Sequence, residues 1–279
     1  MQAELSEHAG TDRRAERPES CLSLTINGPW GHFRRVDGNT VKATYRLPPR
    51  TTVAGLLAAI AGYERDGYYD VFDRASSGIA IQPIERGGPP DVTAAIPRTM
   101  NLPENSLTTS NEGMKAVNSR GRVTVRYPDP NADRQRINYE VLVDPAYRID
   151  VWLDDETAYG CLRELLADGR SEYVPSLGLS EFLASVTYHG EYEPEPLTHR
   201  DCVPVESALP EPDGLVPSRD NPHGTERSPG DMTRTCGPGE FTGRRTTEFL
   251  RWAYSRDGSP LDVSDADAYR VDGRTVVFS

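Results

Sequence analysis

One stretch near the amino terminus, residues 22–63, constrains the fold of this chain more than any other part. It begins with Leu22, Leu24 and Ile26, which alternate with polar residues. Alternation of apolar and polar residues with a period of two is typical of a strand that buries one face. The stretch therefore predicts a strand that lies against a hydrophobic core.

The same stretch ends in a second periodic segment. Its apolar residues have the i, i+3, i+4, i+7 spacing of an amphipathic helix, and they are Val53, Leu56, Leu57 and Ile60. A hydroxyl of Thr51 or Thr52 can cap such a helix by accepting a hydrogen bond from a free backbone N–H. Gly62 can end the helix in the left-handed conformation. We therefore predict a helix between these threonines and Gly62.

Between the predicted strand and helix lies a segment rich in cations and aromatic rings, here called the corner region (residues 30–50). Asp37 is its single acid, and the clustered residues are Trp30, His32, Phe33, Arg34, Arg35, Lys42, Tyr45, Arg46 and Arg50. Such a cluster suits an anion that carries flat rings, and single-stranded nucleic acid fits that description. The alternative is that the aromatic residues cover the edge of the core and the arginines are solvated.

The charge balance of the chain restricts how it can bind nucleic acid. The formal net charge is −12, and of the 31 basic residues only Lys42 and Lys115 are lysines. An acidic, lysine-poor composition indicates a halophilic protein, although a GC-rich codon bias also favours arginine. Phosphate contacts weaken steeply as salt rises, so a halophilic binder relies more on stacking, hydrogen bonds and shape. The composition argues against loose coating of nucleic acid and is compatible with a local site.

Simple patterns exclude several other classes of protein. Cys21, Cys161, Cys202 and Cys236 are widely separated, so neither a zinc ribbon nor a required disulfide is expected. Residues 1–19 lack an apolar core, which predicts a disordered lead and not a signal peptide. No apolar run is long enough to span a bilayer. We therefore expect a cytoplasmic protein without membrane contact, metal or cofactor.

A second cationic region lies at residues 113–138. Val123, Val125 and Tyr127 alternate there with polar residues, as in one arm of a protruding hairpin. Two aspartates accompany six cations, which are Lys115, Arg120, Arg122, Arg126, Arg134 and Arg136. An ordinary solvated loop would share the acidic bias of the chain. We therefore include these six cations among the predicted RNA-binding residues.

The remaining patterns predict the fold class. Residues 20–192 read in the order strand, helix, strand, strands, helix, strand. Asp154 or Asp155 caps the second helix, and Gly169 follows its end. This order is the split βαβ pattern of a ferredoxin-like α+β fold with a long insertion.

Residues 193–279 are predicted to form a loop-rich C-terminal extension. Prolines and glycines are frequent in residues 210–239, which predicts a flexible loop there. A hairpin ends the chain, because Asp272 and Gly273 form a two-residue turn signal between two apolar segments.

Five motifs occur in order between residues 22 and 192. They are GPWGHFRR at 28–35, TYRLPPRTTVAGLLAAI at 44–60, RDGYY at 65–69, YEVLVDPAYRI at 139–149 and PSLGLSEF at 175–182. Taken together, they resemble the Cas-five (Cas5) family of CRISPR-associated RAMP proteins, and the run is most similar to subtype I-B members from halophiles.

The resemblance implies an RRM-like ferredoxin fold and a role without catalysis. Members of the family are subunits of Cascade, the type I CRISPR antiviral surveillance complex, where they hold the 5′ handle of the CRISPR RNA and cap the backbone filament. The implied protein partners are the backbone (Cas-seven) subunit and the large (Cas-eight) subunit. In that family a thumb-like hairpin projects from the sheet and packs against the first backbone subunit, and we expect it at about residues 98–138.

The cationic and aromatic residues then acquire expected roles in RNA binding. Phosphates are expected at the four arginines of the corner region, which are Arg34, Arg35, Arg46 and Arg50, and Lys42 is counted with them among the RNA-binding residues. Splayed bases of single-stranded RNA are read through their faces and edges. Trp30, His32 and Tyr45 are the side chains expected to stack on such bases or to hydrogen-bond them.

Two other functions remain open. One Cas5 subtype cuts precursor RNA itself with tyrosine, lysine and histidine side chains, and a metal-independent ribonuclease needs only a general base and a general acid. Tyr45, Lys42 and His32 are close enough in sequence for that role. Alternatively, an interaction subunit without RNA contacts would dock through an aromatic cluster, and its two cationic regions would not converge in space. That cluster comprises Tyr68, Tyr69 and Phe72.

Overall fold

The computed structural model describes residues 18–35, 41–84, 98–103, 136–197, 202–218, 222–235, 243–256 and 258–279. Strands dominate these residues, and they are joined by two α-helices, α1 (Arg50–Ile60) and α2 (Glu156–Ala167). The strands are β1 (Cys21–Asn27), β2 (Trp30–Gly31), β3 (Phe33–Arg34), β4 (Val41–Lys42), β5 (Thr44–Tyr45), β6 (Ser77–Ile84), β7 (Arg98–Pro103), β8 (Arg136–Val143), β9 (Ala146–Leu153), β10 (Ser185–Tyr192), β11 (Glu195–Leu197), β12 (Val203–Val205), β13 (Leu209–Pro210), β14 (His223–Thr235), β15 (Gly243–Ser255), β16 (Leu261–Val263), β17 (Ala268–Val271) and β18 (Arg274–Val277).

A four-stranded sheet with the order β10-β1-β9-β6 forms the centre of the protein. All three neighbouring pairs run antiparallel. Along the chain the sheet strands and the two helices follow the predicted order, with β7 and β8 inserted between β6 and β9. Each helix joins two strands that are separated in the sheet by a third, which is the split βαβ connection.

The ends of the two helices test the predicted caps. Helix α1 begins one residue before the predicted threonines, because the carbonyl of Pro49 accepts from the backbone N–H of Thr52 at 2.8 Å, and no side chain caps the helix. Gly62 follows α1 with φ +83°, as predicted. Asp155 caps α2 through its carboxylate, which accepts from the N–H groups of the first turn, and Gly169 has φ +64°. These caps are confirmed, whereas the threonine cap of α1 is wrong.

Both faces of the central sheet are covered by other parts of the chain. Leu24 and Ile149 lie on the helix side in one cluster with Leu57 of α1, and a fully buried leucine contributes about 1.5–3 kcal/mol to folding. The terminal hairpin β17–β18 covers part of the other face, where Val276 packs beside Trp152. Its turn has positive φ at both central residues, as the sequence predicts.

The predicted flexible loop over residues 210–239 is wrong for most of its length. Strand β14 pairs with β15 along thirteen residues each, and the two strands are called the long hairpin below. The glycines that suggested a loop instead leave room for neighbouring side chains. A Cβ at Gly230 would lie 2.7 Å from Leu250, and one at Gly224 would lie 2.5 Å from Tyr254. Pro229 stands where the register shifts, a position at which a strand tolerates proline.

Other predictions fall on residues that the structure does not describe. They are the N-terminal lead up to residue 17, the hairpin arm at residues 123–127 and the parts of the loop prediction at residues 219–221 and 236–239. Strands β7 and β8 pair antiparallel, with Arg98 opposite Val141 and Pro103 opposite Arg136. This pairing gives the base that a hairpin insertion requires. The thumb itself stays a prediction.

Neither of the two described helices is long and apolar enough to cross a membrane. Among the described residues, no group of three or more histidine, cysteine or carboxylate side chains is placed to hold a metal ion.

Candidate nucleic-acid interface

Short strand pairings build the corner region from segments that are distant in sequence. Strand β3 pairs with β5, and β2 pairs with β8 antiparallel at Trp30 and Val143. Strand β4 runs parallel to β8, with Lys42 opposite Tyr139. Because β8 starts at Arg136, the backbone at the end of the second cationic region lies beside the corner region. The other five cations of that region lie outside the described residues.

Four basic side chains of the corner region reach solvent. Arg34 is exposed, while Arg35, Lys42 and Arg46 are half-buried. The Arg35 guanidinium lies 5.5 Å from the centre of the Tyr45 ring, which holds this cation by a cation–π contact. The exposed arginine and its three neighbours form a positive surface that a phosphate can approach.

Two of the three side chains expected to contact bases are buried instead, and their predicted roles need correction. His32 and Tyr45 are 1% and 6% exposed, so neither ring can stack on a base in this arrangement. His32 Nδ1 lies 2.7 Å from the carbonyl oxygen of Glu140 and donates to it, and burial lowers the pKa of the imidazole. His32 is therefore packed in the interior and held by the backbone of β8. Trp30 is half-buried and packs against the core, which leaves part of its ring accessible.

The predicted phosphate contact of Arg50 is also wrong. Its side chain is 1% exposed, and burial lowers its pKa to about 10 against the opposing effect of Asp231. The guanidinium donates to the Asp231 carboxylate and to the carbonyl oxygen of Ser279. It also donates to the carbonyls of Phe72, Asp73 and Ser77 and to the Ser77 hydroxyl. Arg50 thus ties α1, the turn before β6, the end of the chain and the long hairpin together.

The aromatic cluster proposed for partner docking is mostly internal. Tyr68 and Phe72 are 7% and 3% exposed and belong to the main core, while Tyr69 is half-buried and donates to Asp66 at 2.6 Å. Burial of Tyr68 and Phe72 leaves only part of the Tyr69 ring exposed for docking.

Glu226 of the long hairpin fixes the segment between the corner strands and α1. Its carboxylate accepts from the backbone N–H of Arg46 at 3.0 Å and from that of Leu47 at 3.2 Å. Burial raises the pKa of Glu226, and these two hydrogen bonds oppose the shift. Sequence reasoning missed this contact because it placed Glu226 in a flexible loop.

A groove beside the corner region encloses about 910 Å³. It is lined by Arg34 and His32, by Thr52 and Gly55 of α1, and by Tyr63 and Tyr173. Tyr173 is 52% exposed. The groove therefore offers aromatic rings and a cation within one depression.

Gly178 allows the wall of this groove to approach the corner region. It has φ +94°, and a Cβ there would lie 1.9 Å from the carbonyl oxygen of His32. The neighbouring Leu177 carbonyl accepts from the backbone N–H of His32 at 3.0 Å. Glycine in the sequence PSLGLSEF was the signal for this close approach.

Comparison with known protein families decides the family of the chain. The family model described as "CRISPR-associated protein (Cas_Cas5)" matches residues 21–235. The protein belongs to the Cas5 family. The matched residues of this Cas5 protein contain the corner region, the groove and β14, while β15 and the terminal hairpin lie beyond them.

Several solved structures are similar to this Cas5 protein at low sequence identity. One, titled "CRISPR RNA-guided surveillance complex", is 16% identical over 88% of this chain and 91% of that chain, with a TM-score of 0.46. A CRISPR protein from Archaeoglobus fulgidus is 13% identical over 92% of this chain and 98% of that chain, with a TM-score of 0.49. A chain of a Type III-B Cmr-beta complex bound to target RNA is 13% identical over 86% of both chains, with a TM-score of 0.40. No curated protein matches the chain.

Proposed function

We propose that this Cas5 protein is a non-catalytic subunit of a Cascade-type CRISPR surveillance complex, where it binds the 5′ handle of the CRISPR RNA and caps the backbone filament. The observation that carries the proposal is the family match over residues 21–235, which includes the whole corner region. The sheet order β10-β1-β9-β6 supports the RRM-like ferredoxin topology proposed for its core.

The chemistry of the corner region supports RNA as the ligand. Arg34, Arg35, Lys42 and Arg46 are the accessible cations among the described residues of the corner region. The six cations of residues 113–138 remain part of the proposed RNA surface. The adjacent groove has the volume of a small-ligand site, which suits one or two splayed nucleotides. Single-stranded RNA is bound in this manner, with phosphates at cations and bases on aromatic rings such as Tyr63 and Tyr173.

The partner assignments follow from the same proposal. The backbone (Cas-seven) subunit would pack against a thumb built between β7 and β8, and the large (Cas-eight) subunit would join the assembly on another surface. The pairing of β8 with β2 and β4 supports this arrangement, because it sets the base of the proposed thumb beside the RNA surface.

Binding of repeat RNA tests the proposal. The full chain, alone and with its backbone subunit, is mixed with labelled repeat RNA without divalent metal, and binding is measured for wild type and Arg34→Glu. We expect about a tenfold loss of affinity, because one phosphate contact is replaced by repulsion. The matched control is Arg270→Glu, an exposed arginine on the terminal hairpin that carries the same charge change. Equal affinities for the two variants would contradict the assignment of Arg34.

The same experiment tests the ribonuclease alternative. His32 and Tyr45 are buried, so the described geometry gives this alternative no support. RNA that stays intact and bound through its 5′ end agrees with the proposed scaffold role. Metal-independent cleavage by the wild-type protein, absent in a Tyr45→Phe variant, would replace it with a processing ribonuclease.

A further inference from the structure

One end of the groove carries a carboxylate that the handle-binding proposal does not use. Glu64 lines the groove and is exposed, and it directly follows Tyr63 in the chain. A carboxylate repels phosphates, so Glu64 opposes the part of an RNA strand that Arg34 attracts. In a complex with RNA, Glu64 therefore has to face a chemical group other than a phosphate.

Backbone hydrogen bonds gather Glu64 and the two tyrosines of the groove at the C-terminal end of α1. The carbonyl of Ala58 accepts from the N–H of Tyr63 at 2.9 Å. The carbonyl of Ala59, the next residue of the helix, accepts from the N–H of Tyr173 at 3.1 Å. An aromatic ring that is 52% exposed, that of Tyr173, and an exposed carboxylate are thus fixed at the same end of the groove.

The corner region lies at the other end of the groove wall. This wall runs from Tyr173 to Gly178, where the backbone approaches the carbonyl oxygen of His32. Five residues of chain span at most about 17 Å. The groove is therefore positive near Arg34 and negative near Glu64, where the C-terminus of α1 adds a partial negative charge. A nucleotide has the matching polarity, because its phosphate is an anion and its base edge carries N–H donors.

One cation lies at the same end of the groove as Glu64. Arg65 lines the groove, and its guanidinium lies 3.8 Å from the carboxylate of Asp66. These two opposite charges balance each other, so Glu64 sets the net charge at this end among the described residues. This end therefore suits a ligand group that donates hydrogen bonds.

Guanine is the base whose edge matches a carboxylate best. An ionised glutamate only accepts hydrogen bonds, and it does so through two oxygens. The Watson–Crick edge of guanine presents two adjacent N–H donors, whereas adenine and cytosine present an amino group beside a ring nitrogen that accepts. Uracil presents a single N–H between two carbonyl oxygens. Guanine can therefore satisfy both oxygens of Glu64, while each of the other bases sets an acceptor against one of them.

We infer that Glu64 determines the base specificity of the groove by selecting a guanine that stacks on Tyr173. The inference rests on the proposed function, because it takes RNA as the ligand of the groove. Single-stranded RNA is read in this manner, through stacking on aromatic rings and hydrogen bonds to Watson–Crick edges. The phosphate of the bound strand then lies toward Arg34, in agreement with the polarity of the groove.

The test measures binding of the full chain to four labelled RNA strands of equal length. Each strand is oligouridine with one central guanosine, inosine, adenosine or cytidine. Inosine keeps the ring N–H of guanosine and lacks its amino group. The wild-type protein should bind the guanosine strand about tenfold more tightly than the other three, since a bidentate contact discriminates between bases by about that factor.

Three variants separate the contacts. Glu64→Gln offers one acceptor and one donor, so adenosine and cytidine should bind within about twofold of guanosine. Tyr173→Ala should weaken binding of all four strands by about fivefold or more and keep the guanosine preference, because stacking accepts every base. The matched control is Glu164→Gln, which changes an exposed glutamate of α2 away from the groove and should behave like wild type.

Equal affinity of the wild-type protein for the guanosine and inosine strands would overturn the inference. A guanosine preference that persists in Glu64→Gln or disappears in Glu164→Gln would also overturn it, as would wild-type affinity in Tyr173→Ala.

Failure of the proposed handle contact gives a different result. Arg34→Glu should weaken binding of all four strands alike, because a phosphate contact carries no sequence information. A guanosine preference without an effect of Arg34→Glu would support the inference and contradict the phosphate contact. No binding to any of the strands would overturn both.

Discussion

The corner region and the long hairpin both carry arginines, but they differ in which of their charged side chains are buried and which are exposed. In the corner region the sequence collects cations, yet Arg50 is buried against Asp231 while Arg34 stays exposed. In the long hairpin acids and arginines are mixed along the strands, yet Glu226 turns into the body while Arg245 faces solvent. Net charge counted along a segment is therefore a poor measure of the charge that the segment presents to a ligand.

The two regions also depend on each other. Glu226 and Asp231 of the hairpin hold the corner segment and α1 through hydrogen bonds to Arg46 and Arg50. Loss of either acid would loosen the surface that carries Arg34. Some charged residues of these two regions therefore stabilise the fold, and others are free to bind a ligand.

The largest effect is expected at Arg50. Arg50→Ala leaves the half-buried Asp231 carboxylate and several carbonyls without their donor, so the free energy of unfolding should fall by about 3–5 kcal/mol. Urea unfolding, with its midpoint and slope, measures the change. Arg34→Ala is the control, because an exposed arginine should change stability by less than about 0.5 kcal/mol. A folded Arg50→Ala protein with normal stability and weakened RNA binding would restore the sequence-based prediction for Arg50.

A smaller effect is expected at Glu226. Glu226→Gln replaces one carboxylate oxygen by an NH₂ group that faces backbone donors, so stability should fall by about 1–3 kcal/mol. The control Glu248→Gln removes an exposed ion pair with Arg74 and should cost less than about 1 kcal/mol. Equal losses of stability for Glu226→Gln and Glu248→Gln in urea unfolding would show that Glu226 stabilises the fold no more than the exposed Glu248 does.

The smallest effect is a pH dependence from His32. Burial lowers the pKa of His32 in the folded protein below the ordinary value of 6.5, so the unfolded chain binds more protons in the window just below pH 6.5. Stability is therefore lost as pH falls through that window. In His32→Asn, whose amide can still donate to Glu140, the free energy of unfolding should decrease less between pH 6.5 and 5. Parallel profiles for the two proteins would show that His32 is not buried as described.

Periodicity predicted the regular elements well. The alternation at Leu22, Leu24 and Ile26 gave β1, and the helical spacing around Leu57 gave α1, because burial of one face requires such patterns. Asp155 and Gly169 marked both ends of α2 for local reasons of hydrogen bonding and backbone freedom. The long hairpin was missed because its glycines and its proline serve packing and a register shift, and local rules read the same residues as a loop.

The sequence by itself determined the family, the order of the elements and the place of the corner region, since these depend on local periodicity and on motifs that lie close together in the chain. Only the tertiary structure decided which charges reach solvent. Arg50 and Arg34 are sixteen positions apart and have the same side chain. Arg50 donates to Asp231, which is 181 residues away in the chain, whereas Arg34 lines the groove. Burial of a charge depends on such distant partners, because desolvation is tolerated only where an opposite charge and hydrogen bonds compensate for it.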